Sequence, residues 1–245
     1  MIRAEVFRLT RGWSLPILLL TALVLNVLAA YGTSTGFDAG LAAPGASEKA
    51  TAALVGLGFG ASLFSMIFGA ISVTRDFGNA SIGRSAFLSG GAVRLLSLRA
   101  FALAVPAIAF AVAGTVSVVV VAMVAVSSKG GHFVLDGDGR ATLAGVFFTI
   151  IFAAYLGHFI AWQGRKSLPV VIALVAWTLV LEPNLINILP AAGKFLPGGA
   201  GQAMTLDASA TFDTLPVGAG YAVYLGWLVV LFAAAGIRLR RTDLL

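Results

Sequence analysis

The sequence contains no cysteine among its 245 residues, which excludes a disulfide framework, a thiolate metal site and a cysteine nucleophile. Charged residues make up only 11% of the chain, against roughly 25% in soluble domains, too few to solvate the surface of a chain this long. A P-loop is missing as well. The one Gly-Lys pair, Gly193–Lys194, is followed by Phe195, and Ile188 stands where the first glycine belongs, so no amide cradle for a nucleotide's phosphates is encoded. What the chain has in excess is apolar: 59% of residues are hydrophobic, and the mean hydropathy is +0.99. Both shifts together place it in the membrane class. The formal charge of +6 does not make it a nucleic-acid binder, because its Lys and Arg residues sit in short clusters between apolar runs, where they serve topology.

A helix crosses a hydrocarbon core of about 30 Å with about 20 apolar residues. Six stretches qualify: Trp13–Gly32, Ala53–Val73, Ala100–Val126, Thr142–Ala161, Leu168–Leu185 and Val217–Ile237. Barrel strands would instead show short alternating runs, so the expected fold is an all-α integral membrane protein in which residues 1–245 form a single transmembrane domain. The first run, Leu15 to Ala30, continues through Tyr31, Gly32 and Thr33 and is read as a retained span rather than a signal peptide. With the N-terminus inside, Arg3, Arg8, Arg11, Arg75, Arg84, Arg94, Arg99, Arg165, Lys166, Arg238, Arg240 and Arg241 fall on the inner side, and only Lys49, Lys129, Arg140 and Lys194 outside. Twelve against four predicts that both termini face the cytoplasm. Asp38, Glu48, Asp136, Asp138, Asp207 and Asp213 fall outside on the same topology. Abundant Ala, Gly and Val with twelve Arg to four Lys suit a GC-rich bacterial genome, hence a multi-pass protein of a bacterial inner membrane.

Individual motifs give a range of expectations. Ser62 in GFGASLF and His158 near the inner end of the fourth span are the only pieces of an intramembrane serine hydrolase. They lie at different depths, so they are read as a packing serine and an interfacial histidine. The segment LDGDGRA, Leu135–Ala141, lacks the closing Glu of a calcium loop and reads as a solvated Asp-Gly turn. Gly56 and Gly60, four apart in the second span, permit close backbone approach by a neighbouring helix. Glu182 is the one carboxylate close to membrane depth; beside Pro183 at the outer end of its span it is expected to touch water, and as a proton-coupling acid it would mark a secondary transporter. The stretch NLINILPAAGKFLPGGAGQAMTL suits short helices at the outer interface rather than a free linker.

Two amphipathic segments remain. MIRAEVFRLTRGW places Ile2, Val6 and Leu9 along one helical side with Arg3, Arg8 and Arg11 around the rest, as in a helix lying in the membrane interface. In TRDFGNASIGRSAFLSGGAVRLLSLRA the second span ends in Arg75–Asp76, Gly78–Asn79 make a turn, Ser81 to Leu88 suit a short helix, and Gly90–Gly91 break it before the third span. This long basic loop is either an anchor obeying the charge rule or a contact for a cytosolic protein.

The order of these features resembles the permease subunit of type 2 ABC (ATP-binding cassette) exporters, over essentially the whole chain. The resemblance is carried by Glu5, Arg8, Leu9 and Arg11 before the first span, by SVTRDFGNASIGRSAFLSGGAVRLLSLRA after the second, by LPAAGKFLPGGAGQAM between the fifth and sixth, and by Arg240, Arg241, Thr242 and Asp243 at the end. Asn79–Ala80–Ser81–Ile82 departs from the family's Gly-Thr/Ser-Ile run, and Thr242 is inserted in its Arg-Arg-Asp tail. The resemblance implies an interfacial N-terminal helix with Glu5, Arg8 and Arg11, a coupling helix in the first cytoplasmic loop and an outer re-entrant hairpin between the fifth and sixth spans. It further implies a second permease copy, identical or related, and two cytosolic ATPase subunits that hold ATP and Mg²⁺. The chain itself would then carry no catalytic site and no cofactor, and Arg75, Asp76, Arg84 and Arg94 would lie in or near the ATPase contact. The substrate implied is an amphipathic drug, peptide or lipid-like molecule, with Phe59, Phe64, Phe68, Trp177 and Glu182 as candidates for its path. A proton-coupled transporter using Glu182 and a non-transporting membrane scaffold are the competing readings.

Overall fold

The computed structural model describes residues 2–36, 45–79, 81–206, 210 and 213–241. Ala80, the tail residues Thr242 and Asp243, and the loop aspartates Asp38 and Asp207 lie outside the described residues. Every regular element among the described residues is helical, and six helices are long and apolar enough to cross a membrane: Ser14–Thr35, Ala46–Gly78, Ala92–Ser128, Gly137–Gly164, Ser167–Ile188 and Val217–Arg241. They match the six expected spans one for one, but most run further. The third has 37 residues and a length of about 55 Å, well beyond the hydrocarbon thickness; Ala92–Leu98, interrupted by Arg94 and cut off from the apolar run by Arg99, continues the helix with Leu95 and Leu96 buried, where the sequence reading begins the span at Ala100. Residues Leu135–Ala141 are not a free turn. Asp136 accepts a hydrogen bond from the Gly139 amide at 2.7 Å, capping the fourth long helix, which starts at Gly137; an Asp at this position satisfies an amide that has no partner within the helix.

The fifth long helix survives Glu182 and Pro183. A wide π-type turn, Trp177–Leu181, precedes them, and such a turn accommodates the hydrogen bond that proline cannot donate. Asn184 Nδ2 donates to the Val180 carbonyl at 2.6 Å. Short helices follow: Pro190–Gly193 and Pro197–Met204, the latter packed against the fourth and sixth long helices. At the end of the bundle that carries the N-terminal helix, Ile2–Thr10, the second and third long helices are joined by the short helix Ile82–Ser89. Gly90 at φ +79° and Gly91 at φ +133° turn the chain out of it in conformations that side-chain-bearing residues rarely adopt.

The second and fourth long helices form the centre. A Cβ added to Gly69 would lie 2.0 Å from the Ala154 carbonyl oxygen, and one added to Gly157 would lie 2.0 Å from the Met66 carbonyl oxygen, so backbone meets backbone at both points. Ser65 Oγ donates across the same contact to the Ile150 carbonyl at 2.9 Å. The expected pair Gly56 and Gly60 does not make this contact: a Cβ on Gly56 would meet only Thr142 Cγ2 at 3.8 Å, and one on Gly60 the Asn26 Oδ1 at 3.2 Å. The close approach lies further along the helix because the face turned to the fourth long helix is set by packing, which the spacing of glycines does not reveal. The first, third and sixth long helices present Ile17, Leu20, Val116, Val120, Val229 and Val230 outward, an apolar surface suited to lipid.

Candidate functional site

Four charged side chains from three elements meet where the N-terminal helix lies on the bundle. Glu5 and Arg8, one helical turn apart, pair at 2.8 Å. Arg8 Nη1 reaches Asp76 Oδ2 of the second long helix at 2.9 Å, and its guanidinium also donates to the Ser72 carbonyl. Asp76 Oδ2 pairs in turn with Arg99 Nη2 of the third long helix at 2.5 Å, and Arg99 Nε stands 3.7 Å from Glu5 Oε1. Arg99 is only 1% exposed, with its guanidinium 5.8 Å from the Trp162 ring centre. Arg99 is thus held by two carboxylates, Asp76 in direct contact and Glu5 further off. Two cations and two anions therefore fasten the N-terminal helix to the two long helices that the short helix connects.

The expected contact residues divide. Asp76 is buried and engaged within the chain, whereas Arg75, Arg84 and Arg94 are exposed around the short helix Ile82–Ser89. Phe87 and Leu88 on that helix are exposed as well, at 85% and 63%. In the N-terminal helix, Glu5 and Arg8 join the cluster, while Arg11 lies just past its end, exposed, over the Phe7 ring at 4.5 Å. Arg99 was counted only for topology in the sequence, although a signal was present: it shares a helical face with Leu95, Leu96, Ala102 and Leu103, all buried, so the periodicity points its side chain inward.

A second locus lies between the second, fourth, fifth and sixth long helices. Phe59, Ser62, Trp177, Thr178, Glu182 and Tyr224 line a cavity of about 40 Å³ together with Met66, Ala153, Leu156, Pro197 and Gly198. Three of the five candidate path residues, Phe59, Trp177 and Glu182, thus come together. Phe68 does not: it is 2% exposed and packs on Phe110 with ring centres 5.6 Å apart, and Phe64 packs against the same apolar cluster. Contrary to the expectation of a water-facing carboxylate, Glu182 is 4% exposed. Its Oε1 accepts the Gly198 amide at 2.5 Å, and Trp177 lines the same cavity. Gly198 is required for this approach, since a Cβ there would fall 2.8 Å from Glu182 Cδ. The chain thus folds back over the end of the fifth long helix and removes Glu182 from solvent.

His158 is likewise not interfacial; it is 1% exposed. Its Nε2 accepts from the Trp162 indole at 3.2 Å, which places the proton on Nδ1, 3.1 Å from Ser72 Oγ; Ser72 Oγ donates to the Gly69 carbonyl at 2.6 Å. The imidazole therefore donates to serine and has no lone pair free to act as its base. Ser62 belongs to the Glu182 cavity and has no part in this triad of contacts. Among the described residues no group of His, Asp and Glu is arranged to hold a metal ion. Comparison with protein-family models and with curated proteins found no match.

Proposed function

We propose that the chain is the permease subunit of a type 2 ABC exporter, a half-transporter that pairs with a second permease and takes its energy from two cytosolic ATPase chains holding ATP and Mg²⁺. The observation that carries this reading is the short helix Ile82–Ser89 at one end of the bundle, which exposes Arg84, Phe87 and Leu88, with Arg75 and Arg94 exposed on the long helices that it joins. Its ends lead directly into the second and third long helices, and the Glu5, Arg8, Asp76 and Arg99 cluster ties both to the N-terminal helix. A push on this helix is delivered to two membrane-crossing helices together, which a coupling helix requires. ATP binding then shifts the permease between two states to the extent that the ATPase binds one of them more tightly.

The same reading puts both termini in the cytoplasm of a bacterial cell, with Ile2–Thr10 in the inner membrane interface. The short helices from Glu182 to Met204 form the outer re-entrant hairpin, supported by the packing of Pro197–Met204 on the fourth and sixth long helices. The amphipathic substrate passes the cavity lined by Phe59, Trp177 and Glu182. The test is an affinity purification in mild detergent, comparing the native chain with Arg75→Glu/Arg84→Glu. An ATPase that co-purifies with the native chain and is lost on reversal supports the reading. A chain that purifies without ATPase from cells expressing its neighbouring genes refutes it. The burial of Glu182 favours one second reading, a proton-coupled transporter; it requires transport without any ATPase and loss of transport in Glu182→Gln. Partner binding with no transport at all would instead identify a scaffold.

A further inference from the structure

We infer that the cavity at Glu182 is a recognition site for an ammonium group, and that the amphiphile this permease moves carries a primary amine at its polar end. The inference rests on the permease reading for its role in transport, but the site is argued from its own geometry.

A carboxylate has acceptor capacity for about four hydrogen bonds. Glu182 receives one from Gly198, and it lines the cavity with acceptor capacity to spare. Among the described residues no Arg, Lys or His forms an ion pair with it. This contrasts with the other buried carboxylate, Asp76, which has two guanidinium partners. An acid within a membrane-crossing helix and without a protein cation is a functional site by default, for a proton or for an external cation. The rest of the lining agrees. The hydroxyl-bearing side chains Ser62 and Thr178 share the cavity, so with Glu182 it offers oxygen acceptors matched to the three N–H donors of a primary ammonium. Phe59, Trp177 and Tyr224 supply aromatic rings, whose faces attract a desolvated cation.

Size narrows the class further. About 40 Å³ is roughly three times the 10–15 Å³ that one water needs, so it takes an –NH₃⁺ head together with a water or the first carbon of its chain. A trimethylammonium head is several times bulkier and offers no N–H donor. A phosphate or carboxylate head would face the Glu182 charge. The remaining wall, Met66, Ala153, Leu156 and Pro197, is apolar and suits the first carbons of the attached chain.

The experiment uses the purified full chain in phosphatidylcholine nanodiscs, without ATPase, and measures saturable binding of radiolabelled dodecylamine. We expect one saturable site per chain, weakened at least about tenfold in Glu182→Gln, with unlabelled dodecylamine competing and dodecanol or dodecyltrimethylammonium not competing. Equal binding by the Gln variant, or equal competition by dodecanol, overturns the proposal. Should Glu182→Gln fail to fold, the native chain is treated with dicyclohexylcarbodiimide and the adduct located by peptide mass. Slowing of the reaction at Glu182 by dodecylamine but not dodecanol supports the proposal. Modification that raised pH slows and dodecylamine does not identifies a site for the proton alone and overturns it. Because no ATPase takes part, failure here is separate from failure of the purification test above.

Discussion

Substituting Asp76 by Asn removes one negative charge from between two guanidinium groups while leaving the shape of the side chain nearly unchanged. In the native chain Asp76 Oδ2 is shared by Arg8 at 2.9 Å and Arg99 at 2.5 Å. Arg99 is 1% exposed. Removing one partner of a buried ion pair costs about 3–5 kcal/mol. Two features hold the value near the lower end: Arg8 is about a third exposed at 32%, and Glu5 remains 3.7 Å from Arg99. We therefore expect Asp76→Asn to lower the unfolding free energy by about 3 kcal/mol, read from reversible unfolding in mixed detergent and dodecyl sulfate micelles. Arg99→Met added to Asp76→Asn should restore about 2 kcal/mol of this loss, because the stranded cation is then gone. A single variant within about 0.5 kcal/mol of the native chain, or a double variant as unstable as the sum of its parts, would refute the account of this cluster as a charge-held joint. The same series separates stability from partner binding, since Arg75, Arg84 and Arg94 are exposed and their substitution should leave the unfolding midpoint in place.

Two further substitutions test the packing by the same unfolding assay. Gly157→Ala forces a methyl group to within 2.0 Å of the Met66 carbonyl oxygen and should cost about 1–3 kcal/mol or more, whereas Gly56→Ala, with its nearest atom at 3.8 Å, should be neutral or stabilise by up to about 1 kcal/mol; equal effects would show that the two central helices are not in backbone contact. Asp136→Ala removes the acceptor of the Gly139 amide and should destabilise the chain by about 0.5–2 kcal/mol, with Asp136→Asn retaining most of the stability.

The number and order of the long helices were legible because membrane crossing imposes a minimum apolar length, and nothing else in the chain competes with that signal. Their ends were less so. Ala92–Leu98 carries Arg94 and Ser97 and is followed by Arg99, yet it continues the helix with Leu95 and Leu96 buried, and that burial depends on neighbours distant in sequence. The short helix after the second span and the Gly90–Gly91 break were readable from local chemistry. The surroundings of Glu182 were not: the group that removes it from solvent is Gly198, sixteen residues later, brought back by short helices whose packing on the fourth and sixth long helices no local pattern specifies. The aromatic residues illustrate the same limit, since Phe59 reaches the cavity and Phe68 packs on Phe110 although both sit on one helix in similar company. His158 looked interfacial from its position near a span end, and only the indole of Trp162, one turn on, explains how it is satisfied in the interior.

The paired contacts at Gly69 and Gly157 bear on how such a bundle moves. Where carbonyl groups rest directly on the opposing chain, there is no layer of side chains to shear, and sliding by even a fraction of a turn would drive Met66 and Ala154 carbonyls into the facing backbone. This contact holds the second and fourth long helices together as one rigid unit. Displacement is left to faces cushioned by flexible side chains, where alternative rotamers supply discrete rest positions. The Glu182 cavity borders this rigid unit, with Met66 and Ala153 on the two central helices and Trp177 and Tyr224 on the fifth and sixth.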